Sequence, residues 1–207
     1  MNATDSARRK NMVWPAFYDI GLYPLERLGL ARWRKEIIGR ARGRVLEIAG
    51  GTGANLQYYN HDCRLVLTDP NESMLRRAAI YRANLSSPRI MLVTDAQHLP
   101  FAPASFDTVV ATLAFCTIPQ PEIAFQEVRR VLRPEGMLLL LEHIRSHQPW
   151  LAWIQNKLTP TWSQFAGGCH LNRDTLDLAR KNGFTMTDIR YRMNHSVVAA
   201  TLAVTRC

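Results

Sequence analysis

The chain is expected to fold as an α/β protein: a mostly parallel seven-stranded sheet, helices on both faces, and an antiparallel strand at the C-terminal end. Five short apolar runs alternate with helical patterns between residues 44 and 142, and that rhythm builds βαβ units. The runs are apolar at consecutive positions, as strands buried on both faces are. Two further runs close the chain and read as an antiparallel pair. With 207 residues, 47% of them hydrophobic and 21% charged, the chain can bury one sizeable core. The same composition excludes disordered and collagen-like classes.

In chain order, residues 1–23 read as an irregular arm. Leu25 to Ile38 reads as an amphipathic helix, with Leu25, Leu28, Leu30, Trp33, Ile37 and Ile38 recurring near helical spacing. The strands follow at 44–48, 64–68, 90–94, 107–111 and 136–142, with helices at 71–85 and 121–132 between them. Residues 148–158 form a Trp-rich amphipathic helix. Pro160 then starts or breaks a further short element within 159–170. A helix over 172–182 ends at Gly183, a residue suited to a left-handed C-cap. Strands over 185–192 and 197–205 complete the sheet. No linker divides the chain, so it reads as one domain in three parts. These are a basic arm and helix (1–43), a core (44–143), and a lid with closing strands (144–207).

The formal net charge is +9, and residues 1–44 carry ten Lys/Arg against four Asp/Glu. Such an excess suits an anionic membrane surface, nucleic acid or simply water. No run approaches the length of a membrane span, and the polar N-terminus lacks a signal-peptide pattern. Cys63, Cys116, Cys169 and Cys207 are far apart and form no CxxC pair. That spacing argues against a metal site or a disulfide framework and for a reducing, cytoplasmic setting.

The first strand runs into Ala49-Gly50-Gly51-Thr52-Gly53-Ala54-Asn55-Leu56. Glycine lets a chain turn sharply and lets a ligand approach its N–H groups. A dinucleotide fingerprint needs a third glycine where Leu56 stands, so a pyrophosphate cradle is disfavoured. The second strand delivers Asp69-Pro70 and the third Asp95-Ala96. Either aspartate alone suits a helix cap or a turn. Together with the glycine turn they would hold an adenosine across the carboxyl edge of the sheet, one carboxylate on the ribose and one on the adenine amine.

On these residues the chain resembles the class I S-adenosylmethionine-dependent methyltransferases, with their Rossmann-like fold. The motifs occur in order: VLEIAGGTGAN at 45–55, LTDPNESML at 67–75, TDAQHLPFAPASFDTVVATLAF at 94–115 and EVRRVLRPEGMLLLLEH at 127–143. The resemblance implies S-adenosylmethionine as cofactor. It places Glu47, Ala49, Gly51, Gly53 and Asn55 beside its methionine part, Asp69 with Pro70 at the ribose, and Asp95 with Ala96 at the adenine. Backbone at Thr112 and Leu113 would line the methyl-donor cleft. Ala49 replaces the family's first glycine, which is tolerable where its φ is negative. Tyr18 could cover the cofactor from the arm, with its ring face near the sulfonium, or simply anchor the arm.

Within the family the chain is most similar to the thiol S-methyltransferase branch, especially in Gly168-Cys169-His170-Leu171-Asn172-Arg173-Asp174-Thr175. Bacterial phosphatidylethanolamine N-methyltransferases and quinone-ring C-methyltransferases share the broader pattern. The expected acceptor is therefore a small or lipid-like molecule, most readily a thiol. His143 and His170 are the candidate catalytic residues, since a thiol must lose a proton before it attacks. Cys116 reads as a small buried apolar residue. Trp150, Trp153 and Trp162 pack into the core or line an apolar mouth. With the basic helix they would suit peripheral contact with anionic lipid. Nucleic acid is not expected, because no amino-methylating motif follows the fourth strand. A cofactor-binding module without turnover is the non-enzymatic alternative.

Overall fold

A computed structural model describes residues 26–81 and 89–205. Seven strands form a single sheet in the order β3-β2-β1-β4-β5-β7-β6. They are β1 (Arg44–Ile48), β2 (Arg64–Asp69), β3 (Arg89–Val93), β4 (Phe106–Thr112), β5 (Leu132–His143), β6 (Phe184–Arg192) and β7 (Val197–Val204). The first five run parallel, and β7 pairs antiparallel with both β5 and β6. The chain builds outward from β1 to β3 and then returns to lay β4 on the other side of β1. The crevice above β1 and β4 is thus a topological switch point, where open α/β sheets hold ligands.

Alternation within the strands feeds two cores. Leu46, Ile48, Val66, Val109, Leu138 and Leu140 face one layer, with Phe115, Phe125 and Phe184 packed among them. Val45, Leu65, Leu67, Val110, Leu139 and Leu141 face the other, with Ile37, Ile38 and Leu75. Burial on both sides is why these strands read as unbroken apolar runs.

The helices are α1 (Ala31–Ile38), α2 (Glu72–Tyr81), α3 (Pro121–Val131), α4 (Pro149–Phe165) and α5 (Thr175–Lys181). The expected single helix over 25–38 is interrupted. Glu26–Leu30 forms a π-helical turn, and Gly29 inside it has φ 125°, a conformation no continuous helix contains. β5 begins at Leu132 rather than Gly136, because Leu132 already pairs with Phe106 across an irregularity in β4. Pro160 does not end the Trp-rich helix, which continues to Phe165. The Thr159 hydroxyl donates to the Gln155 carbonyl at 2.7 Å, and Pro160 itself is exposed, so water can serve the carbonyl freed by the missing N–H. α5 starts later than expected, at the Asp174 cap, whose carboxylate accepts from Asp177 N–H. Gly183 follows it with φ 84°.

Trp150, Trp153 and Trp162 are not core residues: they are 57%, 63% and 48% exposed, beside exposed Leu158 and Phe165. α4 docks through polar Gln155 instead. Its amide accepts from Ser146 N–H and donates to the Ile144 carbonyl, at 2.8 and 3.0 Å. Among the described residues no helix is long and apolar enough to cross a membrane.

Candidate active site

The turn after β1 is shaped by backbone geometry and by space. Ala49 has φ 48°, Gly51 φ 56° and Gly53 φ 75°. The negative φ expected at Ala49 is therefore absent; the alanine sits in the left-handed region at a cost of about 1–2 kcal/mol. Gly50 has ordinary φ but no room: a Cβ there would lie 2.1 Å from Leu67 Cδ1. A Cβ on Gly51 would meet nothing within 4 Å, so this is the open side of the turn. Leu56 is fully buried, with Cδ1 2.6 Å from where a Gly53 Cβ would stand. The residue that breaks the dinucleotide pattern thus packs the underside of the turn.

Asp69 ties this turn to β2. Its Oδ2 accepts from Gly51 N–H at 2.9 Å and its Oδ1 from Asn71 N–H at 2.8 Å. Burial pushes its carboxyl up from the ordinary value, against those two hydrogen bonds. Each oxygen keeps a second lone pair, so both can accept from a neighbouring diol. Pro70 is exposed directly after it. At the end of β3 both Asp95 oxygens accept from Gln97, from its N–H at 2.9 Å and its amide at 2.7 Å. Gln97 in turn accepts from Gln120 N–H at 3.0 Å, and Ala96 is buried.

Behind the turn lies a network that joins the predicted Glu47, Asn55 and Thr112 to Arg34 and Tyr59, which the sequence did not single out. Arg34, on α1, is only 3% exposed. It pairs with Glu26 at 2.8 Å and donates to Asn55 Oδ1 and Thr112 Oγ1 at 3.0 and 2.9 Å. Asn55 donates to Glu47 Oε1 at 2.7 Å, and the Tyr59 hydroxyl donates to Glu47 Oε2 at 2.8 Å. Burial raises the Glu47 carboxyl to about 7, against the hydrogen bonds of Tyr59 and Asn55 and the charge of Arg34. Nothing in the spacing of the helix marks Arg34; only its partners 21 and 78 residues away reveal a buried cation.

Leu113 has φ 53°, which turns the chain sharply at the end of β4. Glu142 secures that turn: its Oε1 accepts from Ala114 and Phe115 N–H at 2.7 and 2.9 Å. Glu142 is wholly buried, and burial raises its carboxyl to about 7. The Gly168–Thr175 segment docks on the same edge. His170 N–H donates to the Cys116 carbonyl at 2.8 Å. Arg173 donates to the carbonyls of Phe115 and Ile118.

The two candidate histidines differ in setting. His170 is half-buried beside Cys169. His143 is engaged: its Nε2 lies 2.8 Å from Cys169 Sγ. Hydrogen bonding from Cys116 first, then from His143, pulls the Cys169 thiol down to about 4. The Cys169 contact raises the His143 imidazole against the opposing effect of burial. Cys116, distant in sequence from both, joins them: one ligand-capable atom from each of Cys116, His143 and Cys169 lies within 4.8 Å of the others. Sequence spacing hid this cluster, because β4, β5 and the lid segment bring it together. His61, His98, His147 and His195 are exposed. Tyr18 lies outside the described residues.

The geometry therefore combines a tight glycine turn, an open face at Gly51, and carboxylates at the ends of β2 and β3. A methyltransferase-domain family profile matches residues 46–140. A rat thiol S-methyltransferase, TMT1B, is 35% identical over 72% of this chain and 62% of its own length. The chain thus spans less than two thirds of that relative. A phosphatidylethanolamine N-methyltransferase of Cereibacter sphaeroides is 30% identical over 74% of this chain and 76% of its own. A SAM-dependent methyltransferase structure from Thermotoga maritima shares the fold at TM-score 0.61 and 20% identity, covering 91% of this chain and 98% of that one. With these matches on a sheet of this order, the chain belongs to the Rossmann-like, S-adenosylmethionine-dependent methyltransferases.

Proposed function

We propose that this protein transfers the methyl group of S-adenosylmethionine to the sulfur of a small or amphiphilic thiol. The observation that carries the acceptor is the Gly168–Thr175 segment. It is held on the ends of β4 and β5 by His170 and Arg173, and it is the stretch most similar to the thiol-methylating branch. When bound, the cofactor supplies an electrophilic sulfonium methyl, so the protein needs to align a nucleophile and keep water out.

In this reading Asp69 accepts from the ribose hydroxyls, with Pro70 beside them, and Asp95 and Ala96 meet the adenine. Glu47, Ala49, Gly51, Gly53, Asn55, Thr112 and Leu113 border the methionine part, and Tyr18 covers it from the arm. Arg34 is a positioning residue, since it fixes Asn55 and Thr112 from behind. The imidazole of His170 takes the proton of the acceptor thiol. His143 stands at the same edge, with its Nε2 already committed to Cys169.

One observation favours a second reading, a phospholipid amine. α4 presents Trp150, Trp153, Leu158, Trp162 and Phe165 to solvent, a surface that suits the interfacial layer of a membrane. The similarity to the Cereibacter enzyme supports it. The two acceptors make opposite demands. Aliphatic thiols in buffer should be methylated faster as pH rises towards the thiol pKa, with little dependence on salt. Phosphatidylethanolamine in anionic vesicles should be methylated best at low salt, where the Debye length exceeds the roughly 8–10 Å of 0.1–0.15 M salt. Thiol turnover is the expected result; salt-sensitive vesicle methylation with no thiol turnover would replace it.

A further inference from the structure

We propose that Cys116, Cys169 and His143 form a binding site for a thiophilic divalent cation of the zinc class. The three come from separate elements: the turn after β4, the docked lid segment and the last residue of β5. One donor atom from each lies within 4.8 Å of the others. A tetrahedral zinc site, with Zn–S of about 2.3 Å and Zn–N of about 2.0 Å, sets its donors roughly 3.6–3.8 Å apart. No donor pair within that 4.8 Å therefore needs to move by more than about 1.2 Å. The His143–Cys169 contact, now 2.8 Å, would open as the cation takes the place of the shared proton.

The donors are held by contacts that owe nothing to an ion. Glu142 fixes the turn before Cys116. His170 N–H grips the Cys116 carbonyl at 2.8 Å, and Arg173 donates to Ile118 O at 2.7 Å. The segments bearing two ligands are thus locked together before any metal arrives. Among the described residues Glu142 Oε2, on the carboxylate that holds the turn before Cys116, is buried without a hydrogen-bond partner, and an unpaired buried polar atom of this kind calls for a water or ion nearby. The Trp162 side chain also reaches Cys169 and is about half exposed, so the cluster lies one side chain below the surface.

On binding, two Sγ–metal bonds and one nitrogen–metal bond form. The Cys116 thiol proton and the proton shared by Cys169 and His143 leave for solvent. Three protein ligands leave a fourth position, the arrangement of zinc sites that admit water or a substrate. The cation would bind whichever acceptor is methylated.

The test is a Co²⁺ titration of reduced, chelator-treated protein, followed by Zn²⁺. We expect one equivalent of Co²⁺ to give thiolate-to-cobalt charge-transfer absorption with intense tetrahedral d–d bands, bleached by Zn²⁺. Cys169→Ser should abolish the charge transfer or weaken binding at least about tenfold. Cys63→Ser should keep it, because the Cys63 thiol donates to the Ala41 carbonyl in another part of the molecule. Cys116 is fully buried, so should Cys116→Ser fail to fold, Cys169→Ser decides. Zn²⁺ should also raise the melting temperature of the wild type and leave that of Cys169→Ser unmoved. No charge transfer in the wild type, or an unchanged spectrum in Cys169→Ser, overturns the proposal.

Discussion

Asp69 carries two duties that its position alone did not reveal. Besides the proposed ribose contact, it holds the glycine turn through Gly51 N–H. Asp69→Ala removes a charged acceptor worth roughly 1.5–3 kcal/mol, so affinity for S-adenosylhomocysteine should fall about ten- to a hundredfold. Calorimetry on a folded variant checks this, and unchanged affinity would place the ribose elsewhere. Arg34 acts at the same scale from behind the site. Arg34→Leu leaves Asn55 Oδ1 without its donor and removes one of two donors to Thr112 Oγ1, with Glu26 unpaired at the surface. A loss of about 2–4 kcal/mol in unfolding free energy is expected. A denaturant midpoint equal to the wild type would show the network to be energetically idle.

The glycine turn is where an element, rather than a residue, decides the outcome, and three neighbouring positions should respond differently. Gly50→Ala drives a methyl into Leu67 and should cost about 1–3 kcal/mol as overpacking. Gly51→Ala meets open space but a φ of 56°, so only about 1–2 kcal/mol of left-handed strain applies. Ala49→Gly removes the same strain and should stabilise by about 0.5–1 kcal/mol after the entropy of the freed chain is counted. Thermal melts of the three variants give the order directly. Destabilisation by Ala49→Gly would mean that the alanine methyl, which packs against the core, outweighs its strain.

Across the whole molecule, a buried carboxyl should make stability depend on pH. Glu47 is raised from 4.5 to about 7, with burial the dominant cause. Between those values the folded chain keeps a proton that the unfolded chain has lost. This contribution therefore favours the fold at and below about pH 4.5, and stability falls as pH rises towards about 7. The size is up to about 3 kcal/mol. Glu47→Gln should lack this slope, so its stability relative to the wild type should improve across that window. Parallel pH curves for the two proteins would show that Glu47 is ionised in the fold throughout.

The strands, their places along the chain and the antiparallel C-terminal pair were legible in the sequence because their causes are local. Runs such as RVLEI and RLVLT declare strands buried on both faces. The helix bounds were less legible: Gly29 breaks one helix, and Pro160 fails to break another. Each depends on φ or on exposure, which composition does not encode. Only the tertiary structure placed Arg34 among Asn55 and Thr112, turned the α4 tryptophans outward, and brought Cys116, His143 and Cys169 together. The physical reason is the same in all three. The sequence determined a backbone periodicity that specifies which face of an element is apolar. Which distant side chain meets a polar group, and whether a neighbouring element covers an apolar one, is settled by how parallel strands and their crossovers pack, and no local pattern records it.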